Sequence, residues 1–114
     1  GQKNCVIALL SARVSSLQDN RLGGWYSYRA SKTALNMLVK TASIEYARRA
    51  NNVKFILYHP GTVDTNLSRP FQSKRVKKLL DPDEVAARLL QKMSQVNLDD
   101  DLAFIDWEGY EINW

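Results

Sequence analysis

The sequence predicts an α/β fold built on a parallel sheet, and three segments carry this prediction. Residues 4–10 and 53–58 are short apolar runs with β-branched residues and no helical period, which is typical of buried strands. Residues 25–50, between them, contain neither glycine nor proline, which is typical of a long helix. Two strands joined by such a helix form a right-handed parallel crossover, so the carboxyl ends of both strands lie at one edge of the sheet.

The first strand is followed by a hydroxyl-rich segment at residues 11–16 and a polar loop that reaches Gly23 and Gly24. We expect this strand to be buried on both faces, and therefore expect its Cys5 to be an inert, buried thiol. Cys5 is the only cysteine, so no disulfide can form within the chain. That composition favours a reducing compartment and predicts a cytoplasmic protein.

The long helix carries the most informative pair in the chain, Tyr28 and Lys32, in a Tyr-x-x-x-Lys spacing. This spacing stacks a phenol one turn from an ammonium group, which stabilises the phenolate and lets the hydroxyl exchange a proton with an alcohol or carbonyl. By chance, about one chain in three of this composition has such a spacing, so the context must support it. The predicted apolar face of the helix comprises Ala34, Leu35, Met37, Leu38, Ala42 and Ile44.

The second strand runs into Pro60 and Gly61, which end it and turn the chain sharply. Open α/β sheets bind ligands at the carboxyl edge of their strands. We therefore expect four residues to converge there: Ser11, Tyr28, Lys32 and Thr65. His59 is the only histidine. A single histidine cannot build a histidine-rich metal site, so we predict no metal and expect His59 to be a hydrogen-bonded residue at the strand end.

The remaining elements are predicted to be structural. Asp81 and Pro82 open a helix that ends near residue 96. Its buried stripe is predicted to contain Val85, Leu89, Leu90 and Met93. Residues 102–106 form a final short strand. We expect Trp107 and Trp114, which follow it, to serve mainly in packing.

Charge is distributed unevenly along the chain. Residues 1–80 have a net charge of +11 and residues 81–114 a net charge of −7, giving the total of +4. A basic segment can attract the phosphates of a dinucleotide or of nucleic acid. The densest cluster, at residues 74–78, has no interleaved aromatic residues, so we predict no nucleic-acid partner. The sequence also lacks a run of eighteen apolar residues, and we predict no membrane partner.

Four motifs together resemble the short-chain dehydrogenase/reductase family, most closely its branch of C-factor-like and sniffer-like carbonyl reductases. They are the strand that ends in Ser-Ala-Arg-Val at 11–14, the Tyr-x-x-x-Lys motif within 24–36, the Pro-Gly-Thr-Val-Asp-Thr segment at 60–65, and the closing segment at 104–109 with terminal Trp114. The resemblance spans nearly the whole chain. The two central motifs at this separation are far more specific than either alone.

The resemblance implies a role for each matching residue. Tyr28 would be the general acid/base, and Lys32 would stabilise its phenolate and hydrogen-bond the nicotinamide ribose. The segment with Pro60 and Gly61 would lie at the cofactor, with the backbone of Val63 at the carboxamide and Thr65 near the phosphates. The cofactor would be NADP or NAD, and the resemblance favours NADP. The substrate would be a small carbonyl compound or alcohol.

The sequence departs from the family pattern at the third catalytic residue. The family usually has a serine that hydrogen-bonds the substrate oxygen, and Ala12 stands at its place. Ser11 lies next to that position, and Ser15 lies thirteen residues before Tyr28, a common family spacing. Ser16 is a third candidate. A role in capping turns is an equally open reading of all three.

The glycine-rich phosphate-binding fingerprint of the family is also absent. No Gly-x-x-x-Gly-x-Gly pattern can be drawn from the five glycines, and the chain starts a few residues before a central strand. We therefore expect residues 1–114 to be the carboxyl-terminal half of a Rossmann-type doubly wound domain, with helices on both faces of the sheet. The fragment alone is expected to be marginally stable and inactive, because it leaves an apolar sheet edge open.

The predicted function of the intact protein is NAD(P)-dependent hydride transfer to or from a carbonyl or alcohol. A non-enzymatic signalling protein, similar to the C-factor relatives, and a catalytically silent fragment remain as alternatives. An epimerase or dehydratase of the extended branch shares the Tyr-x-x-x-Lys pair, but it normally has a longer substrate domain after the second strand. Similar enzymes dimerise through the helix at residues 25–50, so a homo-oligomer is expected.

Overall fold

The computed structural model describes residues 3–61, 80–95 and 102–114. In these ranges the chain forms a parallel sheet of β1 (Cys5–Leu10), β2 (Val53–His59) and β3 (Ala103–Asp106), in the order β1-β2-β3. A 3-10 turn, Arg13–Ser15, and helix α1, Tyr26–Arg49, connect β1 to β2, and helix α2, Pro82–Ser94, precedes β3. The parallel α/β prediction is confirmed, and the element bounds agree within about two residues, which is the usual uncertainty of helix ends.

The two helices cover opposite faces of the sheet. Leu57 of β2 packs with Val39 of α1 in one buried cluster, and Ile56 packs with Val85 of α2 in the other. Neighbouring residues of a strand point to opposite faces, so this alternation places the sheet between the two helices. The result is the three-layer arrangement expected for a Rossmann-type sheet.

Strand β1 is less buried than predicted. Its neighbour on one side is β2, and no other strand of the described chain pairs with its second edge. Cys5 is exposed, and Ile7 is 40% exposed. The expectation of a buried Cys5 was therefore wrong. Cys5 and Ile7 lie on the same face as Leu9, which packs against the α1 cluster, but that cluster does not extend to the start of β1.

The face of α1 that meets the sheet also differs from the prediction. Val39 and Asn36 are its buried residues, and Leu35 packs beside them. Met37 and Leu38, which were predicted to face the core, are 67% and 68% exposed. Ile44 is also exposed. The helix has apolar residues around most of its circumference, so the period of the sequence could not select the core face.

Helix α2 follows its prediction more closely. Asp81 occupies the N-cap position, although its side chain makes no capping hydrogen bond, and Pro82 begins the helix. Val85 is buried, and Leu89 and Met93 pack against the same cluster. Leu90 is 65% exposed, so its predicted place in the buried stripe was wrong. No helix of the described ranges combines the length and apolar character that crossing a bilayer requires.

The chain after β3 folds back onto the sheet. The backbone N–H of Asp106 donates to the carbonyl of Tyr110 at 2.9 Å, and that of Ile112 donates to Phe104 at 2.8 Å. Ile112 is buried in the α1-side cluster, and the ring of Trp114 lies 5.2 Å from that of Phe104. Trp114 thus packs on Phe104 with part of its ring and is otherwise 44% exposed, so its predicted packing role is met only in part.

Candidate active site

Tyr28 and Lys32 lie side by side on the first and second turns of α1. The Lys32 ammonium nitrogen is 5.9 Å from the centre of the Tyr28 ring, and it donates to the carbonyl oxygen of Leu10 at 3.1 Å. Leu10 is the last residue of β1, so this hydrogen bond joins the pair to the carboxyl edge of the sheet. The Tyr28 side chain is 46% exposed, which leaves its hydroxyl open to a substrate.

Arg29 holds the backbone that precedes this pair. Its Nε donates to the carbonyl of Gly24 at 2.8 Å and its Nη2 donates to Gly23 at 3.1 Å. The third contact, from Nη1 to Val14 at 3.3 Å, reaches the 3-10 turn. Gly23, Gly24 and Trp25 all have positive φ, a conformation that needs support at the non-glycine Trp25. The Arg29 guanidinium therefore fixes both the start of α1 and its distance from the turn.

The three candidate serines are all buried, with exposures of 4% or less. The Ser11 hydroxyl donates to Oδ1 of Asn36 at 2.6 Å, and Nδ2 of Asn36 donates to the Ser15 hydroxyl at 2.6 Å. The Ser15 hydroxyl in turn donates to the carbonyl of Ala12 at 2.7 Å. A hydroxyl has one proton to donate, so those of Ser11 and Ser15 are both used within the protein. The Ser16 hydroxyl accepts from the backbone N–H of Asp19 at 3.1 Å.

The cofactor residues predicted after β2 are partly described. Val63 and Thr65 lie outside the described residues. Gly61 has a φ of 77°, and a Cβ on it would lie 2.5 Å from the Leu80 side chain and 2.8 Å from the Trp107 ring. The turn at Pro60 and Gly61 therefore needs glycine both for its backbone conformation and for close packing. Trp107 packs here against the α2-side cluster, in agreement with its predicted role.

A charged cluster lies at the same edge of the sheet. Asp106, at the end of β3, is 4% exposed and accepts from Arg13 Nη2 at 2.8 Å. Its second carboxylate oxygen accepts from the backbone N–H groups of Glu108 and Tyr110, both at 2.9 Å. Arg13 is half exposed and also lies 3.7 Å from Asp19. Asp106 therefore ties the segment after β1 to the turn after β3.

His59 is paired in register with Asp106, but its environment differs from the prediction. Its Nδ1 is buried and has no hydrogen-bond partner among the described residues. Burial, reinforced by the Arg13 cation and opposed by Asp106, lowers the pKa of His59 to about 4. The expectation of a hydrogen-bonded strand-end histidine was therefore wrong for Nδ1. The neutral ring is retained because a proton on it would be poorly solvated.

Tyr58 adds a second buried polar atom without a partner among the described residues, its hydroxyl oxygen. The side chain is fully buried. Burial raises the pKa of Tyr58, an effect that the Arg88 cation opposes and Asp106 reinforces. Tyr58 is thus a neutral phenol at physiological pH, unlike a residue placed to exchange protons with a substrate.

The Lys32 ammonium has unused hydrogen-bonding capacity at this edge of the sheet. No group of three or more His, Cys, Asp or Glu side chains that could hold a metal ion occurs among residues 3–61, 80–95 and 102–114. The Lys32 ammonium has three protons, and its one described hydrogen bond, to Leu10, uses one of them. Two protons remain for other acceptors, beside the half-exposed Tyr28.

Sequence reasoning missed Asn36, Arg29 and Asp106. Asn36 had a usable signal, because it continues the four-residue spacing of Tyr28 and Lys32 along one stripe of α1. Arg29 and Asp106 had none. Arg29 contacts backbone carbonyls 5 to 15 positions away, which no side-chain pattern indicates, and Asp106 pairs with Arg13 93 positions away, which only the folded chain brings together.

Comparison with known proteins agrees with this geometry. The profile of the short chain dehydrogenase family matches residues 12–76, more than half of the chain, including both Tyr28 and Lys32. The chain belongs to the short chain dehydrogenase family. Recognition of this family from the sequence is thereby confirmed.

Two curated members of the family align with almost all of the chain. It is 31% identical over 108 residues to 1-hydroxy-2-glutathionyl-2-methyl-3-butene dehydrogenase of Rhodococcus sp. strain AD45, covering 95% of the chain and 46% of that dehydrogenase. It is 34% identical over 108 residues to C-signal of Myxococcus xanthus, covering 95% of the chain and 60% of C-signal. The chain thus spans about half the length of the curated relatives that it matches.

Solved dehydrogenase structures share the fold. NADPH-bound carbonyl reductase from chicken fatty liver superposes with a TM-score of 0.80 at 32% identity, covering 96% of the chain and 42% of that protein. Carbonyl reductase Sniffer of D. melanogaster superposes with a TM-score of 0.78 at 27% identity, covering 96% of the chain and 41% of Sniffer. The Rossmann-type α/β prediction is confirmed by this likeness.

Proposed function

We propose that this chain is the carboxyl-terminal, catalytic part of an NADP(H)-dependent oxidoreductase that interconverts a small carbonyl compound and its alcohol. One observation carries the proposal: Tyr28 and Lys32 are stacked at the carboxyl edge of the sheet, with the ammonium anchored on Leu10 and the phenol half exposed. The NADPH-bound carbonyl reductase among the similar structures supports the choice of cofactor. A bound nicotinamide dinucleotide would supply or accept the hydride.

In the direction of reduction, Tyr28 donates its hydroxyl proton to the carbonyl oxygen as the carbonyl carbon becomes an alcohol carbon. The resulting phenolate is stabilised by the ammonium of Lys32 and regains a proton from solvent, which its exposure permits. Lys32 would also hold the ribose of a bound cofactor by a hydrogen bond from its ammonium. In this proposal Pro60 and Gly61 shape the backbone next to the cofactor. Val63 and Thr65 would also contact the cofactor.

Ser11 is the third residue that the sequence predicted to be catalytic. Its hydroxyl proton is donated to Asn36, so we assign proton transfer to Tyr28 and Lys32 alone. The substrate remains defined only as a small carbonyl compound or alcohol. We further propose a cytoplasmic homo-oligomer that associates through α1, since Tyr26, Met37 and Leu38 of this helix are exposed. Light scattering on the full-length protein measures the number of subunits.

The test of the reaction follows the loss of NADPH absorbance in the presence of a carbonyl substrate, on the full-length protein. Tyr28→Phe is expected to lower kcat by about 10²–10⁴-fold with little change in NADPH affinity. Lys32→Ala is expected to weaken both turnover and NADPH binding. Tyr26→Phe is the matched control, because Tyr26 lies on the same helix and is 87% exposed. Equal turnover of Tyr28→Phe and wild type would refute the acid/base assignment.

A signalling or interaction role is the second candidate, and the similarity to C-signal favours it. The absence of a serine at position 12 is consistent with this candidate. The two functions differ in one measurement. A protein that only binds the dinucleotide would show NADPH affinity without carbonyl-dependent oxidation of NADPH.

A further inference from the structure

We propose that Asn36 is a positioning residue for the reaction described above, acting on Lys32 through the peptide group between Leu10 and Ser11. This inference depends on the proposed function and adds two points to it. It assigns a role to a residue outside the predicted set. It also gives the Ser11 hydroxyl a task other than binding the substrate oxygen.

The peptide group between Leu10 and Ser11 is held from three sides. Its carbonyl oxygen accepts from the Lys32 ammonium at 3.1 Å, and its N–H donates to the carbonyl of Tyr58 in β2 at 2.8 Å. The side chain of Ser11 donates to Asn36 at 2.6 Å. Lys32 and Asn36 are four residues apart on α1, so adjacent turns of one helix hold the same peptide group.

The position of the ammonium depends on this peptide group. A lysine side chain has many rotamers, and the bond to Leu10 is the described contact that selects the one beside Tyr28. Rotation of the Leu10 carbonyl would move the ammonium away from the phenol. The Ser11–Asn36 hydrogen bond fixes the side chain on the Cα next to this peptide group, and so adds to the restraint that the Tyr58 carbonyl places on the Ser11 N–H.

The amide nitrogen of Asn36 also restrains the 3-10 turn at residues 13–15. Its Nδ2 donates to Ser15, whose hydroxyl donates to the carbonyl of Ala12. The Thr33 hydroxyl lies 2.8 Å from the carbonyl of Ser15 and adds a parallel link to α1. Asn36 is 4% exposed, so removal of its amide would leave the buried Ser11 hydroxyl without its acceptor, while the Ser15 hydroxyl would keep its bond to Ala12 and lose a donor.

The experiment compares Asn36→Leu, Ser11→Ala and Ser43→Ala in the full-length protein. Ser43 is the matched control, because it lies on the same helix, is only partly buried and bonds only to the carbonyl of Lys40 among the described contacts. Misplacement of a group in the site by about 1 Å costs up to about a hundredfold in rate, so we expect Asn36→Leu to lower kcat by about tenfold to a hundredfold. Ser11→Ala, which keeps the link between Asn36 and Ser15, should lower kcat by less than about tenfold.

The pH profile separates positioning from a general loss of structure. A displaced ammonium would no longer stabilise the negative charge that proton transfer leaves on the Tyr28 oxygen. The pH at which kcat reaches half of its maximum should therefore move upward in Asn36→Leu, in the same direction as in Lys32→Ala. Ser43→Ala should leave that pH unchanged. An Asn36→Leu protein with the wild-type kcat and pH profile would overturn the proposal.

Ser11→Ala tests the same proposal if Asn36→Leu does not fold. A substrate-binding serine would act as an oxyanion donor, and its loss would lower kcat by about 10²–10³-fold. That result, without a change in the pH profile, would also overturn the proposal. A smaller loss of kcat with an upward movement of the pH midpoint would support it.

Thermal unfolding tests the hydrogen-bond link independently of activity. If Ser11 and Asn36 are partners, the double variant should lower Tm by less than the sum of the two single variants. Additive losses would overturn the link and leave the proposed reaction untouched. Conversely, a wild-type protein that never oxidises NADPH with a carbonyl would refute the proposed function and the positioning role with it, whatever the Tm values.

Discussion

His59, whose Nδ1 is buried without a hydrogen-bond partner among the described residues, makes the stability of this protein depend on pH in a defined direction. The pKa of His59 is lowered to about 4 in the folded chain, whereas an unfolded histidine titrates near 6.5. Below about pH 6.5 the unfolded state therefore binds more protons than the folded state, and acid favours unfolding. The stabilising effect is fully present above pH 6.5 and is lost as the pH falls towards 4.

The magnitude follows from the interval between the two pKa values. At about 1.4 kcal/mol for each pH unit, the full interval corresponds to about 3 kcal/mol, and the step from pH 6.5 to 5 to about 2 kcal/mol. The pH values between 5 and 6.5 are the informative ones, because ordinary carboxylates, with pKa values near 4, remain largely ionised there. Loss of stability between pH 7 and 5 thus reports mainly on His59.

The assay is urea denaturation followed by tryptophan fluorescence at pH 7 and at pH 5. Wild type should lose about 2 kcal/mol of unfolding free energy between these conditions, and His59→Phe less than about 0.5 kcal/mol. Arg13→Gln is a second probe, because removal of the cation raises the pKa of His59 and so reduces the loss between pH 7 and 5. Equal losses in wild type and His59→Phe would refute the reasoning.

Two further predictions concern the carboxyl edge of the sheet. Asp106→Ala should lower the free energy of unfolding by about 2–4 kcal/mol, because Arg13 and two backbone N–H groups lose their acceptor. Asp106→Asn keeps one oxygen as an acceptor and should lower it by about half as much, as measured by thermal unfolding. Equal costs for the two variants would contradict this account. Gly61→Ala should cost about 2–4 kcal/mol, from backbone strain and overlap with two packed side chains. Gly23→Ala is the control, because Gly23 has a similar φ but open space around it, and it should lower the free energy of unfolding by only about 1 kcal/mol. Similar urea midpoints for Gly61→Ala and Gly23→Ala would argue against the overlap at Gly61.

The order of the elements and their parallel pairing could be predicted from the sequence because these properties depend on local patterns. Apolar runs with β-branched residues define β1 and β2, and the absence of glycine and proline defines α1. The pairing of Tyr28 with Lys32 could also be predicted from a local pattern. Their proximity requires only the rise of one helical turn.

Burial could not be predicted with the same success. Cys5 is exposed because the cluster packed against α1 does not extend to the start of β1, and this depends on what covers that face of the sheet. Met37 and Leu38 are exposed, while the polar Asn36 between Leu35 and Met37 is buried. In a helix with apolar residues on several sides, the core face is chosen by the sheet that packs against it.

The sequence by itself determined the α/β class, the family and the Tyr28–Lys32 pair, since each depends on residue type and spacing over short distances. Only the tertiary structure decided which groups the serine hydroxyls bond to and which backbone carbonyl accepts from Lys32. It also decided that Nδ1 of His59 is buried without a partner among the described residues. These features depend on groups far apart in the chain, such as Ser11 with Asn36 and Arg13 with Asp106. A hydroxyl or a carboxylate can bond to many partners, and its partner is known only when the chain has folded around it.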